Sequence, residues 1–568
     1  MAGPARRADS SPPKFLVNTC STNPAVRNFL RSFADSRTAQ REVLRRVVTA
    51  NRSCEFGKRH DFASIQSTSD FRRAVPVCGY EDFRGDIERM LNGEPDILTS
   101  EPVRRFFITS GTMAAPKYIP VTPSFVRDKS YAFQIFWNLV REAHPRVDGG
   151  SVIFNFSDTG REQRTPGGLL YGSESSFWNA CWRGAGGKAR CPFPREIMNI
   201  PDAEARYYTI ARIILETEVT ALMTLNPSTM LLLSEVIHRK ALPLIADIRH
   251  GGISPDVPVT REIREYMGEQ FRGNERRARE LEKAFGRTGP VPASNVWPNL
   301  QVAVCWRSPM TRPYIELLGP FLGGMPQRDY LTMASEGVMA IPFRDDISGG
   351  ILPIHTHFFE FIPAELSEQN EPPTLLAHEL EAGGSYTVVL TTSAGLYRYN
   401  IGDVVRVREF NGSTPVLEFL HRAGHTCSLT GEKLTESQVA GAVCEAARRF
   451  GPIIRTFTLC PVARPHPHYV LLAEVESPLD PPVGSHFLAA FDDALGVRNV
   501  EYRSKRDSLR LAAPELWVLP PGSYASLRQQ RIAQGASDAQ VKIACLTRDL
   551  DWHRQFQVLE RVSCGSPV

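Results

Sequence analysis

The chain has 568 residues, 42% of them hydrophobic and 23% charged, a composition that excludes overall disorder and a length that calls for two to four structural units. Its 66 basic and 62 acidic residues leave a net charge of +4, which gives no reason to expect a nucleic acid or an anionic membrane as partner. The 11 cysteines are scattered without a C-x-x-C pair, which argues against a disulfide framework and against structural zinc and points to a reducing, cytoplasmic compartment.

The N-terminal stretch from Met1 to Lys14 carries Arg6, Arg7, Pro12 and Pro13 without an apolar segment. It reads as a tail, not a signal peptide, and no apolar run reaches the roughly 18 residues of a spanning helix. The first hundred residues look mostly helical, with Leu44, Val47 and Val48 at helical spacing, and read as scaffold. From about residue 103, short apolar runs alternate with helices, the α/β pattern. Val103 to Thr109 predicts a strand, and Thr122-Pro123 a helix start, with an N-cap hydroxyl followed by proline at the first helical position. Further strands are expected at Ser151 to Phe156, Thr220 to Leu225, Asn299 to Trp306, Tyr330 to Met333, Val338 to Phe343 and His357 to Ile362. Arg272 to Lys283 reads as a solvated helix face without function. Tyr386 to Thr391, Tyr397 to Phe410 and Val416 to Leu420 are β-rich, with Asn411-Gly412 as a turn. After Arg422 the pattern restarts on a smaller scale. The expected organisation is α/β: a large N-terminal domain over 1–421, its β-sheets flanked by helices, and a smaller α+β C-terminal domain over 422–568.

Three short segments carry chemistry. Thr109-Ser110-Gly111-Thr112-Met113-Ala114-Ala115-Pro116-Lys117 follows a strand as a run of small and hydroxyl residues closed by a lysine. Short side chains let backbone N–H groups approach an anion, and Lys117 can neutralise a leaving pyrophosphate. The spacing is not that of a Walker loop, and a plain turn is the alternative. Thr332-Met333-Ala334-Ser335-Glu336-Gly337 lies between two strands, and taken alone its Ser-Glu reads as solvent-facing. In Tyr397-Arg398-Tyr399-Asn400-Ile401-Gly402-Asp403-Val404-Val405, Gly402 lets the strand turn, and the Asp403 carboxylate is either part of a plain Gly-Asp turn or an acceptor for both ribose hydroxyls.

In this order the segments resemble the motifs of the adenylate-forming superfamily: its T-S-G-T-T-G-x-P-K loop, its Ser-Glu box and its Y-R-Y-x-x-G-D-V box. The continuation Tyr118-Ile119-Pro120 looks like one branch, the auxin-responsive (Gretchen Hagen) acyl-acid amido synthetases and their bacterial relatives. The resemblance implies ATP and Mg²⁺ as cofactors, with Thr109, Ser110, Gly111, Thr112, Lys117 and Tyr397 at the nucleotide. Glu336 would hold Mg²⁺ and Ser335 would face phosphate or the acyl carboxylate. Asp403 would bind ribose, and Arg422 would mark the hinge of a mobile C-terminal domain and contact the nucleotide at ribose or phosphate. It further implies that Lys433, in Gly431-Glu432-Lys433-Leu434, contacts the nucleotide and that Lys542 serves adenylation when the cap closes. Three positions depart from the pattern: Met113, Ala114 and Thr332, the last leaving Tyr330 as a stand-in for an adenine-stacking ring.

The implied activity joins a small carboxylic acid to an amine, most simply an amino acid, through an acyl-adenylate, with release of pyrophosphate and AMP. A thioester-forming ligase using coenzyme A and a non-catalytic binding relative are the alternatives. Tyr171, Phe177, Trp178 and Trp182 are candidates for an acyl pocket. The His355/His357 and His466/His468 pairs lack further ligands in sequence, and no metal role is assigned to them.

Overall fold

The computed structural model describes residues 23–109, 117–155, 163–184, 191–286, 289–367, 369–422, 426–427, 429–430, 432, 434–451, 454–463, 467–476, 479–507, 511–533 and 543–563. The described residues open with five α-helices, Pro24–Ser32, Ser36–Ala50, Glu55–Arg59, Thr68–Ala74 and Tyr80–Leu91. In Ser36–Ala50 the apolar positions Val43, Leu44, Val47 and Val48 recur at helical spacing and are buried, and the Asp35 carboxylate caps the helix by accepting the Thr38 N–H at 3.0 Å.

Among the described residues of the body, three sheets of four or five strands follow. Arg105–Thr109 and Lys117–Val121 form an antiparallel pair, and Arg105–Thr109 also pairs in parallel with Leu170–Gly172. The helix Pro123–Ala143 starts as the sequence predicts, with the Thr122 hydroxyl accepting the Phe125 N–H. The second sheet is parallel throughout, in the order Ser151–Asn155, Val219–Thr224, Val302–Cys305, Gln327–Asp329. Both central strands are buried along their whole length, as a helix-covered parallel sheet requires. The third is antiparallel, in the order Gly350–Ile351, Thr414–Arg422, Tyr399–Asn411, Ser385–Thr391, Phe358–Pro363.

The expected strand at Tyr330 to Met333 is two shorter ones, Gln327–Asp329 in the parallel sheet and Thr332–Ala334 in a hairpin with Gly337–Ala340. The charge-dense segment forms the helix Glu275–Phe285. Its Arg277 is not merely solvated, because it donates to the carbonyls of Leu215 and Val296, each at 2.7 Å.

Beyond Arg422 a separate apolar core runs from Cys427 to Val562. It lies under a mixed sheet ordered Ile454–Val462, His468–Val475, Glu515–Leu519, Glu560–Ser563, with helices Glu436–Phe450 and Pro481–Arg498 packed together. Ion pairs join this part to the body: Arg455 to Glu235 at 2.8 Å and Arg448 to Glu316 at 3.5 Å. Among the described residues no helix is long and apolar enough to cross a membrane.

Candidate functional site

Lys117 opens the second strand of the first hairpin, directly opposite Thr109 in register. Its neighbour Tyr118 donates its N–H to the Tyr80 hydroxyl at 2.7 Å, which anchors the strand to the helix Tyr80–Leu91. The Lys117 ammonium lies 5.3 Å from the Tyr80 ring centre and 3.4 Å from the Tyr399 hydroxyl. Partial burial lowers the pKa of Lys117, the Arg422 guanidinium lowers it further, and the Glu336 carboxylate opposes both.

Glu336 sits in the two-residue turn between Ala334 and Gly337, which pair across the hairpin. It is 2% exposed, and its Oε1 accepts the Tyr399 hydroxyl at 3.4 Å. Tyr399 thus lies between the lysine and the carboxylate. Burial and the adjacent Glu336 charge push its pKa up, so it stays a neutral hydroxyl. Ser335 shares the turn and is half-buried.

Asp403 and Arg422 stand opposite each other on the antiparallel strands Tyr399–Asn411 and Thr414–Arg422, with Arg422 Nε 3.8 Å from Asp403 Oδ1. Gly402, next to Asp403, adopts φ +77°, a conformation that favours glycine, and its N–H donates to Asn400 Oδ1 at 2.9 Å. Arg422 also donates to the Ile401 carbonyl at 3.2 Å. Its charge perturbs both Lys117 and Tyr399, so Lys117, Tyr399, Glu336, Arg422 and Asp403 form one electrostatic cluster drawn from three separate stretches of chain.

Other expected site residues lie elsewhere. Tyr397 is 0% exposed, stacks on Phe56 with ring centres 4.6 Å apart, and donates its hydroxyl to the Leu98 carbonyl at 2.6 Å. It is a core residue: it precedes the strand that starts at Tyr399, and the positive φ of Arg398 breaks the alternation that would otherwise put Tyr397 and Tyr399 on one face. Arg398 between them adopts φ +44°, held there by two hydrogen bonds to Glu360 and one to the Val75 carbonyl. Tyr330 is buried with its ring edge against Phe136, so it presents no open face to a base. Trp178 packs on Phe133 and donates to Glu174, and Phe177 packs on Phe107. Thr109 ends its strand, with its side chain outside the description. Ser110, Gly111, Thr112, Met113, Ala114, Lys433, His466 and Lys542, and the Trp182 side chain, lie outside the described residues. His357 is wholly buried, and its Nε2 accepts the Val338 N–H at 3.2 Å. Sequence reasoning passed over Tyr399; the period-two alternation from Asp403 back to Tyr399 is the signal that would have found it.

The chain matches the GH3 family N-terminal domain over residues 25–327, the GH3 family central domain over 350–422 and the GH3 family C-terminal domain over 437–551. The chain belongs to the GH3 family. It is 24% identical over 559 residues to the jasmonoyl--L-amino acid synthetase GH3.5 of Oryza sativa subsp. japonica, covering 93% of this chain and 95% of that protein. It is 25% identical over 533 residues to the indole-3-acetic acid-amido synthetase GH3.3 of Arabidopsis thaliana, covering 89% and 88%. Its fold superposes on the GH3.15 acyl acid amido synthetase with a TM-score of 0.83 at 21% identity, over 95% of this chain and 97% of that one. The hairpin with Lys117 falls in the stretch matched as the GH3 N-terminal domain, and Asp403 and Arg422 in the central domain. Glu336 lies between the two matched stretches.

Proposed function

We propose that this GH3 chain is an ATP-dependent acyl acid amido synthetase whose acyl acceptor is an amino acid. The observation that carries the reading is the convergence of Lys117, Tyr399 and Glu336 with the Asp403–Arg422 pair, in a chain whose relatives are named as amido synthetases. ATP is the co-substrate. Lys117 meets the negative charge of its phosphates, with Ser110, Gly111 and Thr112 of the adjoining loop, and Asp403 accepts the ribose hydroxyls.

The donor set fits Mg²⁺. A hard cation held near phosphates takes one or two carboxylates and leaves the remaining positions to phosphate and water, and Glu336 offers one shielded carboxylate beside the phosphate-binding lysine. The ion would supply charge neutralisation at the phosphates.

In the first half-reaction a carboxylate oxygen of the acid bonds to the α-phosphorus as the bond to pyrophosphate breaks. In the second, the amine bonds to the acyl carbon, AMP leaves and the amine loses a proton. Lys117 offsets charge on the departing pyrophosphate, and Lys542 that on the reacting carboxylate and phosphorus. Lys433 joins the nucleotide contacts, and Ser335 faces phosphate or acid. Two domains divide at 421/422. The end of the body strand at Arg422 and the start of a separate core at Cys427 support that boundary. The C-terminal domain rotates about Arg422 between the half-reactions. The nine described cysteines are all free, which supports a cytoplasmic setting.

The test is a pyrophosphate-release screen over carboxylic acids, followed by product mass with an amino acid panel or with coenzyme A. An amide product and AMP are expected. A thioester, or no pyrophosphate from any acid, would overturn the reading. Lys542→Ala should lose adenylation by orders of magnitude and keep ATP binding.

A further inference from the structure

Lys129 lies on the inner face of the helix Pro123–Ala143, and its side chain is 0% exposed. Its ammonium forms an ion pair with Glu174 and donates to the Ala334 carbonyl at 2.8 Å. Glu174 also accepts the Trp178 indole N–H at 2.8 Å, so the helix that bears this carboxylate fixes it in place. Ala334 is the last residue before the Ser335–Glu336 turn. On the far side of that turn, the Val338 N–H donates to His357 Nε2 at 3.2 Å. The turn is therefore held at both ends, by a buried cation on one strand's carbonyl and by a neutral imidazole on the other strand's N–H. There is no slack between them, because a Cβ on Gly337 would come within 3.0 Å of the His357 ring and 3.1 Å of Leu390.

Burying an ammonium is costly, and a scaffold that needed only packing here would use an apolar residue. Ten of the 66 basic residues are lysine, and two of them, Lys117 and Lys129, both lie within the field of the Glu336 carboxylate. Lys117 is part-exposed beside the Tyr399 hydroxyl. Lys129 stands behind the turn, shut off from solvent, and so cannot touch a substrate.

We infer that Lys129 is a positioning residue: held by Glu174, it fixes the Ser335–Glu336 turn through the Ala334 carbonyl and so sets how tightly Glu336 engages a divalent cation with the nucleotide. The inference rests on the reading of Glu336 as the Mg²⁺ ligand.

The experiment follows thermal stabilisation of the full chain by ATP while Mg²⁺ is titrated, with ATP in excess EDTA as baseline. Lys129→Met combined with Glu174→Gln removes both charges and leaves no lone ion buried. It should raise the Mg²⁺ midpoint about tenfold while the EDTA baseline stays unchanged. Trp178→Phe keeps both charges but frees the Glu174 carboxylate from its indole donor, and should raise it about threefold; that milder variant decides if the double variant does not fold. A wild-type midpoint in a folded variant, beside a shifted midpoint in Glu336→Gln, overturns the positioning role. An unshifted midpoint in Glu336→Gln itself overturns the metal reading, and the inference with it.

Discussion

Asp403 and Arg422 face each other in register across two antiparallel strands, at the point where the body's last strand ends, with the guanidinium Nε 3.8 Å from the carboxylate Oδ1. Asp403 is 9% exposed, so the arginine holds a nearly enclosed charge, whereas a surface pair would contribute little. The guanidinium thereby orients the carboxylate at the edge of the cluster that contains Lys117 and Glu336.

Asp403→Asn keeps the shape and removes the charge. Losing a charge-assisted acceptor of ribose hydroxyls should raise the ATP dissociation constant about tenfold to hundredfold, measured by titration calorimetry. An unchanged constant would take Asp403 out of the nucleotide site.

Tyr399→Phe deletes the hydroxyl that stands 3.4 Å from both Lys117 and Glu336. At this length each contact is modest, so turnover should fall by no more than about tenfold and thermal stability should hardly move. A fall of a thousandfold would mean that the hydroxyl takes part in the chemistry and does not merely space the two charges.

Tyr397→Phe should do the reverse. It leaves the buried Leu98 carbonyl without its donor, at a cost of about 1–3 kcal/mol in unfolding free energy, and it leaves ATP affinity alone. Denaturant melts and calorimetry on the same protein separate the two effects; weakened ATP binding would return Tyr397 to the site.

Burial, with the fields of Lys129 and Arg46, lowers the pKa of His357 from 6.5 to about 3. Above pH 6.5 the ring is neutral folded and unfolded, and its contribution to stability is complete. As the pH falls from 6.5 toward 3, the unfolded chain takes up a proton that the folded chain refuses, and that contribution is lost. Burial raises Asp329 to about 7, which works in the opposite sense over this range but is common to wild type and variant. The melting temperature of wild type should therefore drop more steeply between pH 7 and pH 4 than that of His357→Gln, and parallel pH profiles would refute the buried neutral ring.

The fold was legible where period and cap chemistry agree. Thr122-Pro123 marks its helix correctly, and the apolar runs around Thr220 and Val302 mark the buried parallel strands. Gln327–Asp329 escaped because it is polar. Its Arg328 and Asp329 are 1% and 4% exposed, the first paired through Nε with Asp345 and the second accepting the N–H groups of Arg307 and Gly349, and hydropathy gives no hint of such tertiary partners. At the site, Lys117, Glu336, Asp403 and Arg422 were named from sequence and are brought together. Tyr397 was named because its box suggested it, and the positive φ of Arg398, which no sequence pattern announces, sends it into the core while Tyr399 faces Lys117 and Glu336. Lys129 and Glu174 could not be seen at all, since their partnership spans 45 positions and depends on how two helices pack against a hairpin.

The scarcity of lysine gives the cluster around Lys117 a chemical signature. Lys117 combines partial access with a proton held less firmly than on an open surface, while Lys129 is walled off. A mild acylating reagent applied near neutral pH would find few targets in this chain. Protection of a single peptide, the one bearing Lys117, would then report occupancy of the proposed nucleotide site without any knowledge of the acid.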